Sequence, residues 1–375
     1  LNTEAISGAD KTLVDNTLNA LANKLWYTAY TTNERNLTGK VEIAEGLTAS
    51  AVSKRIEDIT FDETSGQGRY GNAVPPTPGG EQTATEFTTR IFGGFGDPND
   101  EKEYVDAHVK QADGTYHFTK DSTITFKTKK DTNLGAIKPG AKNVDIDASE
   151  RVLTVKSGGA TAAVKASAAI ENDRWALNIK AGTLKLLVDD SVSAGPLQTA
   201  YGIYSRQIGA GTGTTTISGK TDIKVGGSVS SKAVYTSYGT VTLEGLKAKT
   251  NTAAAEAMAL SAQNNGRINV NVKDDTVGNA DVMLDGDIEA RDSGSRVDAA
   301  FTSGTSYLKG LAFGGGTLNL WLQNGATWTN QQYGAALPTG FAGSRLSNFT
   351  GGSDASHAGV IFQKNNNDIS IDNYS

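Results

Sequence analysis

Cysteine is absent from the 375 residues, which excludes a disulfide framework, a thiolate metal site and a cysteine nucleophile. Proline is scarce, 7 residues beside 43 glycines, so neither a collagen-like chain nor a proline-rich linker fits. Charged residues make up 20%, too few for a chain kept disordered by its charge. No apolar run reaches the ~18 residues of a membrane-spanning helix. Positive charge is the minority sign: 35 Lys and Arg against 41 Asp and Glu leave a net charge of -6, opposite to what a phosphate backbone attracts. No nucleic-acid partner is expected. The chain opens on Leu1 instead of an initiator methionine, as a processed or excised piece of a longer protein would.

What is present is glycine, about one residue in nine against a usual ~7%. At ~150 residues per domain, the length allows two or three domains or one elongated repeat body. Val14, Leu18, Leu21, Ala22 and Leu25 keep helical spacing behind a capping Asp10, which predicts an amphipathic helix over 10–27. A second helical stretch is predicted at 48–56, with short strands at 38–43 and 59–61. Residues 66–96 carry Pro75, Pro76, Pro78 and paired glycines and read as a loop interrupted by a strand at 86–92. Residues 1–115 are therefore expected to form a mixed α and β cap with its loop, and 116–330 a repeat region. Residues 331–375 form a C-terminal segment whose strand pattern is still running at Ser375, so the natural protein is expected to continue.

From Tyr116 helical periodicity gives way to period-two strands between Gly, Asn and Asp turns, predicted at 123–127, 143–147, 152–156, 175–180 and 184–188. Five pentapeptides share a mostly small beginning and a serine end: Ala163-Val-Lys-Ala-Ser167, Tyr201-Gly-Ile-Tyr-Ser205, Ala233-Val-Tyr-Thr-Ser237, Ala257-Met-Ala-Leu-Ser261 and Ala299-Ala-Phe-Thr-Ser303. A second element follows several of them. Gly213 precedes Thr215 and Ile217, Gly239 precedes Val241 and Leu243, Gly266 precedes Ile268 and Val270, and Gly316 precedes Leu318 and Leu320. Their ordered recurrence marks an internal repeat, and strand-only units of this size exclude ankyrin, tetratricopeptide and armadillo arrays. The predicted fold is all-β, a parallel β-helix (solenoid) whose turns stack ~4.8 Å apart and whose corners absorb insertions. Its core is expected to align Ile203, Tyr235, Ala259 and Phe301, with the four glycines at corners that need positive φ. The helix at 10–27 is expected to cover the N-terminal end. A β-sandwich with irregular hairpins is the alternative.

These features together resemble the passenger region of Gram-negative bacterial autotransporters. The likeness is carried at the start by 14–25 and Arg35-Asn-Leu-Thr-Gly39. At the end it is carried by Gly325-Ala-Thr-Trp-Thr-Asn330, Ser344-Arg-Leu-Ser-Asn-Phe-Thr-Gly-Gly352, Gly359-Val-Ile-Phe-Gln363 and Ile369-Ser-Ile-Asp-Asn-Tyr374. The resemblance implies a right-handed β-helix exported to the cell surface through a C-terminal β-barrel that this chain lacks. Passengers of that kind include adhesins, self-associating factors, toxins and hydrolases.

Candidate chemistry is sparse. Ser293 in Arg291-Asp-Ser-Gly-Ser295 is similar to the nucleophile string of autotransporter serine proteases, with His108 or His117 as base. Arg291 replaces the glycine expected there, and a corner loop is the plainer reading. Asp145 with Asp147, or Asp189 with Asp190, are the carboxylate pairs that a polysaccharide-cleaving β-helix would use, and turn chemistry explains them better. Gly93-Gly-Phe-Gly-Asp97 reads as a tight turn. No cofactor is expected; Asp274, Asp275, Asp281, Asp285 and Asp287 offer oxygens for Ca²⁺, but in the spacing of no known loop.

The expected function is a cell-surface adhesin, binding a host or bacterial surface glycan or protein and self-associating. A polysaccharide-degrading enzyme, and behind it a serine protease passenger, are the alternatives. Strands in a stack are constrained by their neighbours, so recognition is expected on insertions and loops. The candidate binding residues are the acidic Asp274, Asp275, Asp281, Asp285 and Asp287, in the longest gap between repeats, and the aromatic Tyr70, Phe92 and Phe95.

Overall fold

A computed structural model describes residues 115–375 except 130, 132–133, 140–142, 207–212, 337–342 and 365–366. It also describes the strands Ile59–Asp62, Gln67–Tyr70, Glu81–Gln82, Glu86–Phe87 and Ile91–Phe92. The predicted helices at 10–27 and 48–56 and the strand at 38–43 lie outside the described residues. Within the described residues the fold is all-β, without a helix.

The chain alternates between two sets of parallel strands. One is an eight-stranded sheet of short strands, running in order Ala312–Gly314, Asp287–Ala290, Glu256–Gln263, Ser230–Ser237, Thr199–Arg206, Ala166–Asn172, Gly135–Lys138 and Ile91–Phe92. Between consecutive members the chain makes a longer, bent excursion, as in Val144–Gly159, Leu177–Val188, Thr214–Val225 and Thr240–Lys249. Each excursion pairs in parallel with the one before it and the one after it. Every circuit thus adds one rung to both sets, an arrangement consistent with a β-helix. It is incompatible with the sandwich alternative, whose hairpins would pair antiparallel.

The period-two pattern creates this architecture by sending alternate side chains to opposite faces. In Leu177–Val188, Leu177, Ile179, Leu184, Leu186 and Val188 are buried, while Asn178, Lys180 and Lys185 are exposed. Register then piles the buried residues into columns. On the first arm of the bent strands Ile146, Ile179, Ile217, Leu243, Val270, Ala299, Leu320 and Phe349 stand opposite one another in succession. The second arm stacks Ile124, Val155, Leu186, Ile223, Ala248, Leu284, Leu308 and Trp328. In the short-strand sheet the column is Ile137, Ile170, Ile203, Val234, Leu260, Ile288 and Ala312. Each fully buried Ile or Leu contributes about 1.5–3 kcal/mol, and nearly all of them belong to one continuous core.

Several expectations need adjustment. The strands predicted at 143–147 and 152–156 are two arms of one strand, as are those at 175–180 and 184–188. The glycine-led element is in true register: Thr215 lies opposite Val241, and Ile217 opposite Leu243. The pentapeptide is not. Ile203 lies opposite Val234, one residue short of Tyr235, and Tyr235 lies opposite Ser261 instead of Ala259. Phe301 belongs to the bent set. A small beginning and a serine end suit many corners, so the string marks a type of place instead of a register. Tyr235 consequently faces outward, where its hydroxyl donates to Gln263 Oε1 at 3.4 Å. Of the four corner glycines only Gly213 has positive φ (54°); at Gly239 the need is space, since a Cβ would sit 2.8 Å from the Gly213 carbonyl oxygen.

Parallel pairing extends beyond 116–330 in both directions. Glu81–Gln82 pairs with His117 and Phe118, and Ser344–Thr350 with Ile369–Tyr374. After Thr327–Asn330, residues 331–336 cross to the short-strand sheet, where the Ala335 amide donates to Ala254 O at 2.8 Å and the Tyr333 amide to Asp287 Oδ1 at 3.0 Å. This strap lies beside a small second cluster of Met258, Leu311 and Phe313.

Candidate functional site

Each bent strand turns at a residue without a Cβ or with left-handed backbone. Glu150 bends Val144–Gly159 at φ 64°, and Gly219 bends Thr214–Val225 at φ 96°. The ladder slips at these points, between Ala181 and Thr183 and between Ile217 and Lys220. A Cβ at Gly219 would run into the Ala181 carbonyl oxygen of the rung below. Gly182, Gly219 and Gly245 therefore line up along one corner, where three successive rungs present little but backbone.

This corner floors a cleft of about 610 Å³. Its far wall is Asn279, Ala280, Asp281 and Met283, at the end of an insertion in the rung that begins at Arg267. The insertion is a hairpin of Val272–Lys273 against Thr276–Val277, closed where the Gly278 amide donates to Asn271 O at 2.8 Å. Asn271 holds its base. Its Nδ2 donates to Gly278 O, Ala300 O and Thr302 Oγ1, each at 3.1 Å, while its Oδ1 accepts the Ala280 amide at 3.1 Å.

The polar groups of the cleft carry both signs: Lys220, Lys247, Asp222, Glu244 and Asp281. Glu244 Oε2 accepts the Gly219 amide at 2.8 Å, and Lys247 stands 4.0 Å from Asp222. Hydroxyls of Thr305 (2.5 Å) and Ser303 (2.7 Å) donate to Asp281 Oδ1 and hold its pKa below the usual carboxylate range. Fixed acceptors, mobile ammonium donors and exposed backbone suit a ligand rich in hydroxyl groups. The chain matches no known family, no curated protein and no solved structure.

The five predicted aspartates are not one site. Asp281 lines the cleft. Asp274 and Asp275 form the tip of the hairpin, both at positive φ, with Asp275 paired to Arg296 at 3.3 Å. Asp285 lies on the outer face of the second arm, where Lys309 (3.4 Å) and the Tyr307 hydroxyl (3.0 Å) meet it. Asp287 is fully buried. Among the described residues no three His, Asp or Glu side chains gather as a metal would require. Tyr70 ends the strand Gln67–Tyr70 and Phe92 the strand Ile91–Phe92; their side chains, and Phe95 altogether, lie outside the described residues.

Ser293 sits in a corner loop whose Asp292 accepts backbone amides of Asn264 and Asn265. His117, 3.6 Å from Asp147, pairs one rung above Glu81–Gln82, some five rungs or ~25 Å along the stack from Ser293. His357 bonds Asp354 at 2.8 Å beyond the other end, and His108 lies outside the described residues. Asp145 accepts from Asn178 at 2.8 Å. Asp189 and Asp190 serve a turn, through Ser191 and the Leu197 amide.

Sequence reasoning missed Lys220, Asp222, Glu244 and Lys247. The signal was a glycine ahead of the second arm, as in Gly219-Lys-Thr-Asp222 and Gly245-Leu-Lys247. It also missed the outward group of Tyr201, Tyr204 and Tyr235, with ring centroids 4.7–5.5 Å apart.

Proposed function

We propose that this chain is the surface-displayed passenger of an autotransporter and acts as an adhesin. It is built as a right-handed parallel β-helix with an N-terminal α and β cap and carried at the outer membrane by a C-terminal barrel. Its partner is a glycan on a host or neighbouring bacterial surface. The observation that carries this reading is the glycine-floored cleft across three rungs. A stacked body with many parallel rungs is a stiff spacer, and a corner groove lined by both carboxylates and ammonium groups suits sugar hydroxyls better than an apolar ligand.

The test is a glycan array probed with the purified chain, joined to an aggregation assay of bacteria displaying it. Saturable glycan binding is expected, weakened at least tenfold by Lys220→Ala with Asp222→Ala, while the circular dichroism spectrum is unchanged. Absence of both glycan binding and aggregation overturns the adhesin reading. Cleavage of a bound polysaccharide, abolished by Asp222→Asn, replaces it with the enzyme.

A further inference from the structure

The outer face of the second arm carries a row of lysines that the core does not require and of which only Lys247 also lines the cleft. Register sets two adjacent columns there. One runs Thr154, Lys185, Asp222, Lys247, Met283 and Tyr307; the other runs Lys156, Leu187, Lys224, Lys249, Asp285 and Lys309. Six lysines against two aspartates thus face outward over six rungs, in a protein whose net charge is -6. From Lys156 to Lys309 the row spans five rung spacings, ~24 Å.

Ion pairing accounts for only half of the row. Lys224 lies directly opposite Lys249 on the neighbouring strand, and like charges in that position are unfavourable. Lys224 is offset by Asp189 at 2.8 Å, Lys309 by Asp285 at 3.4 Å and Lys247 by Asp222 at 4.0 Å. Among the described residues Lys156, Lys185 and Lys249 form no ion pair. Lys224 and Lys249 also line a second cleft of about 520 Å³ at the end of the arm, together with Asp189, Asp190, Asn251 and Tyr333.

We propose that this face binds a linear anionic polysaccharide laid along the stack. The rise of the ladder places at least one ammonium group in each of four consecutive rungs, Lys156, Lys185, Lys224 and then Lys247 with Lys249. Asp222 and Asp285, set among the lysines, would repel an evenly charged phosphate backbone but accept hydrogen bonds from sugar hydroxyls. The row is also two columns wide, a track for one extended chain; single-stranded nucleic acid would call for aromatic stacking platforms between the lysines. This face meets the glycine-floored cleft only along the edge formed by Asp222, Lys247 and Met283, and the proposal does not depend on the adhesin reading.

The test uses heparin dodecasaccharide and an oligoguluronate as probes, with a neutral maltohexaose beside them, read by calorimetry on the whole chain. The two anionic probes are expected to bind and the neutral one not to bind at this face. The variant Lys156→Ala/Lys185→Ala/Lys249→Ala leaves Lys220 and Lys247 of the glycine-floored cleft in place and should weaken anionic binding at least tenfold. The control Lys120→Ala/Lys165→Ala/Lys364→Ala removes the same charge elsewhere and should stay within twofold. Wild-type affinity should also fall about tenfold or more between 50 and 200 mM NaCl, a readout that needs no variant to fold. Equal losses in both variants, no loss in the first, or an affinity indifferent to salt overturns the proposal. Displacement of the dodecasaccharide by a lower concentration of DNA overturns the choice of polysaccharide. Loss of glycan-array binding in the cleft variant, with dodecasaccharide binding intact, separates the two sites.

Discussion

At the scale of single residues, Asp287 shows how far burial changes an ordinary turn-type side chain. Its Oδ1 accepts the amides of Leu311 (2.8 Å) and Tyr333 (3.0 Å), while its Oδ2 is buried without a hydrogen-bond partner. Desolvation pushes its pKa up to about 6, against the pull of those amides. The raised value means that the folded state holds the proton longer than the unfolded chain does. Stability from this group is therefore full below pH ~4, falls as pH rises to ~6, and is level above that, a change on the order of 3 kcal/mol. Asp287→Asn should flatten this part of the profile, so that variant and wild type diverge between pH ~4 and ~6 in chemical denaturation. Parallel profiles would show that the carboxylate is better solvated than its burial implies. Sequence placed this residue with four other aspartates in one loop; nothing in the local pattern distinguished the one that turns inward beneath the strap.

At the scale of elements, the hairpin of Val272–Lys273 and Thr276–Val277 is an addition to the ladder instead of a part of it. Its ends meet at Asn271 and Gly278, and Arg267–Val270 and Val282–Asp285 continue the two arms on either side. Removing residues 272–277 should therefore shift the melting temperature by only a few degrees, since shortening a closed surface loop costs little. The same deletion should open the cleft on one side and weaken glycan binding. Loss of cooperative unfolding would mean that the hairpin is integral to the rung. The long gap from Ala257 to Ala299 pointed to this part of the chain for the wrong reason, since Ala257 lies in the short-strand sheet and Ala299 in the bent set, so the two do not bound one repeat; only the strand pairing shows where the insertion leaves and rejoins the ladder.

At the scale of the whole molecule, each rung touches mainly its neighbours, so stability is distributed along a line. The middle rungs have partners on both sides. The strand Val360–Gln363 is exposed throughout, and Tyr374 is 72% exposed. Amide exchange should accordingly be slowest in Leu177–Val188, Thr214–Val225 and Thr240–Lys249 and fastest in Val360–Gln363 and Ile369–Tyr374. Uniform protection over all the rungs would instead indicate one all-or-none unit. Charge follows the same axis: the lysine row and the mixed-sign cleft both exist because register repeats a side-chain position from rung to rung.

The sequence by itself determined that the chain is built of short strands and repeats, because period-two alternation and glycine-led corners are local properties of the chain. The element at Gly213, Gly239 and Gly266 even carried the register, since a corner and the two inward residues after it are set by adjacent positions. Tertiary structure alone decided the rest. A pentapeptide slip of one residue turns Tyr235 from core to surface, and only pairing with the neighbouring rung chooses between those faces. The cleft joins residues from 181 to 283 and the lysine row residues from 156 to 309. Both depend on how many residues each corner absorbs before the chain returns to the stack, a quantity that the sequence near any one corner does not encode.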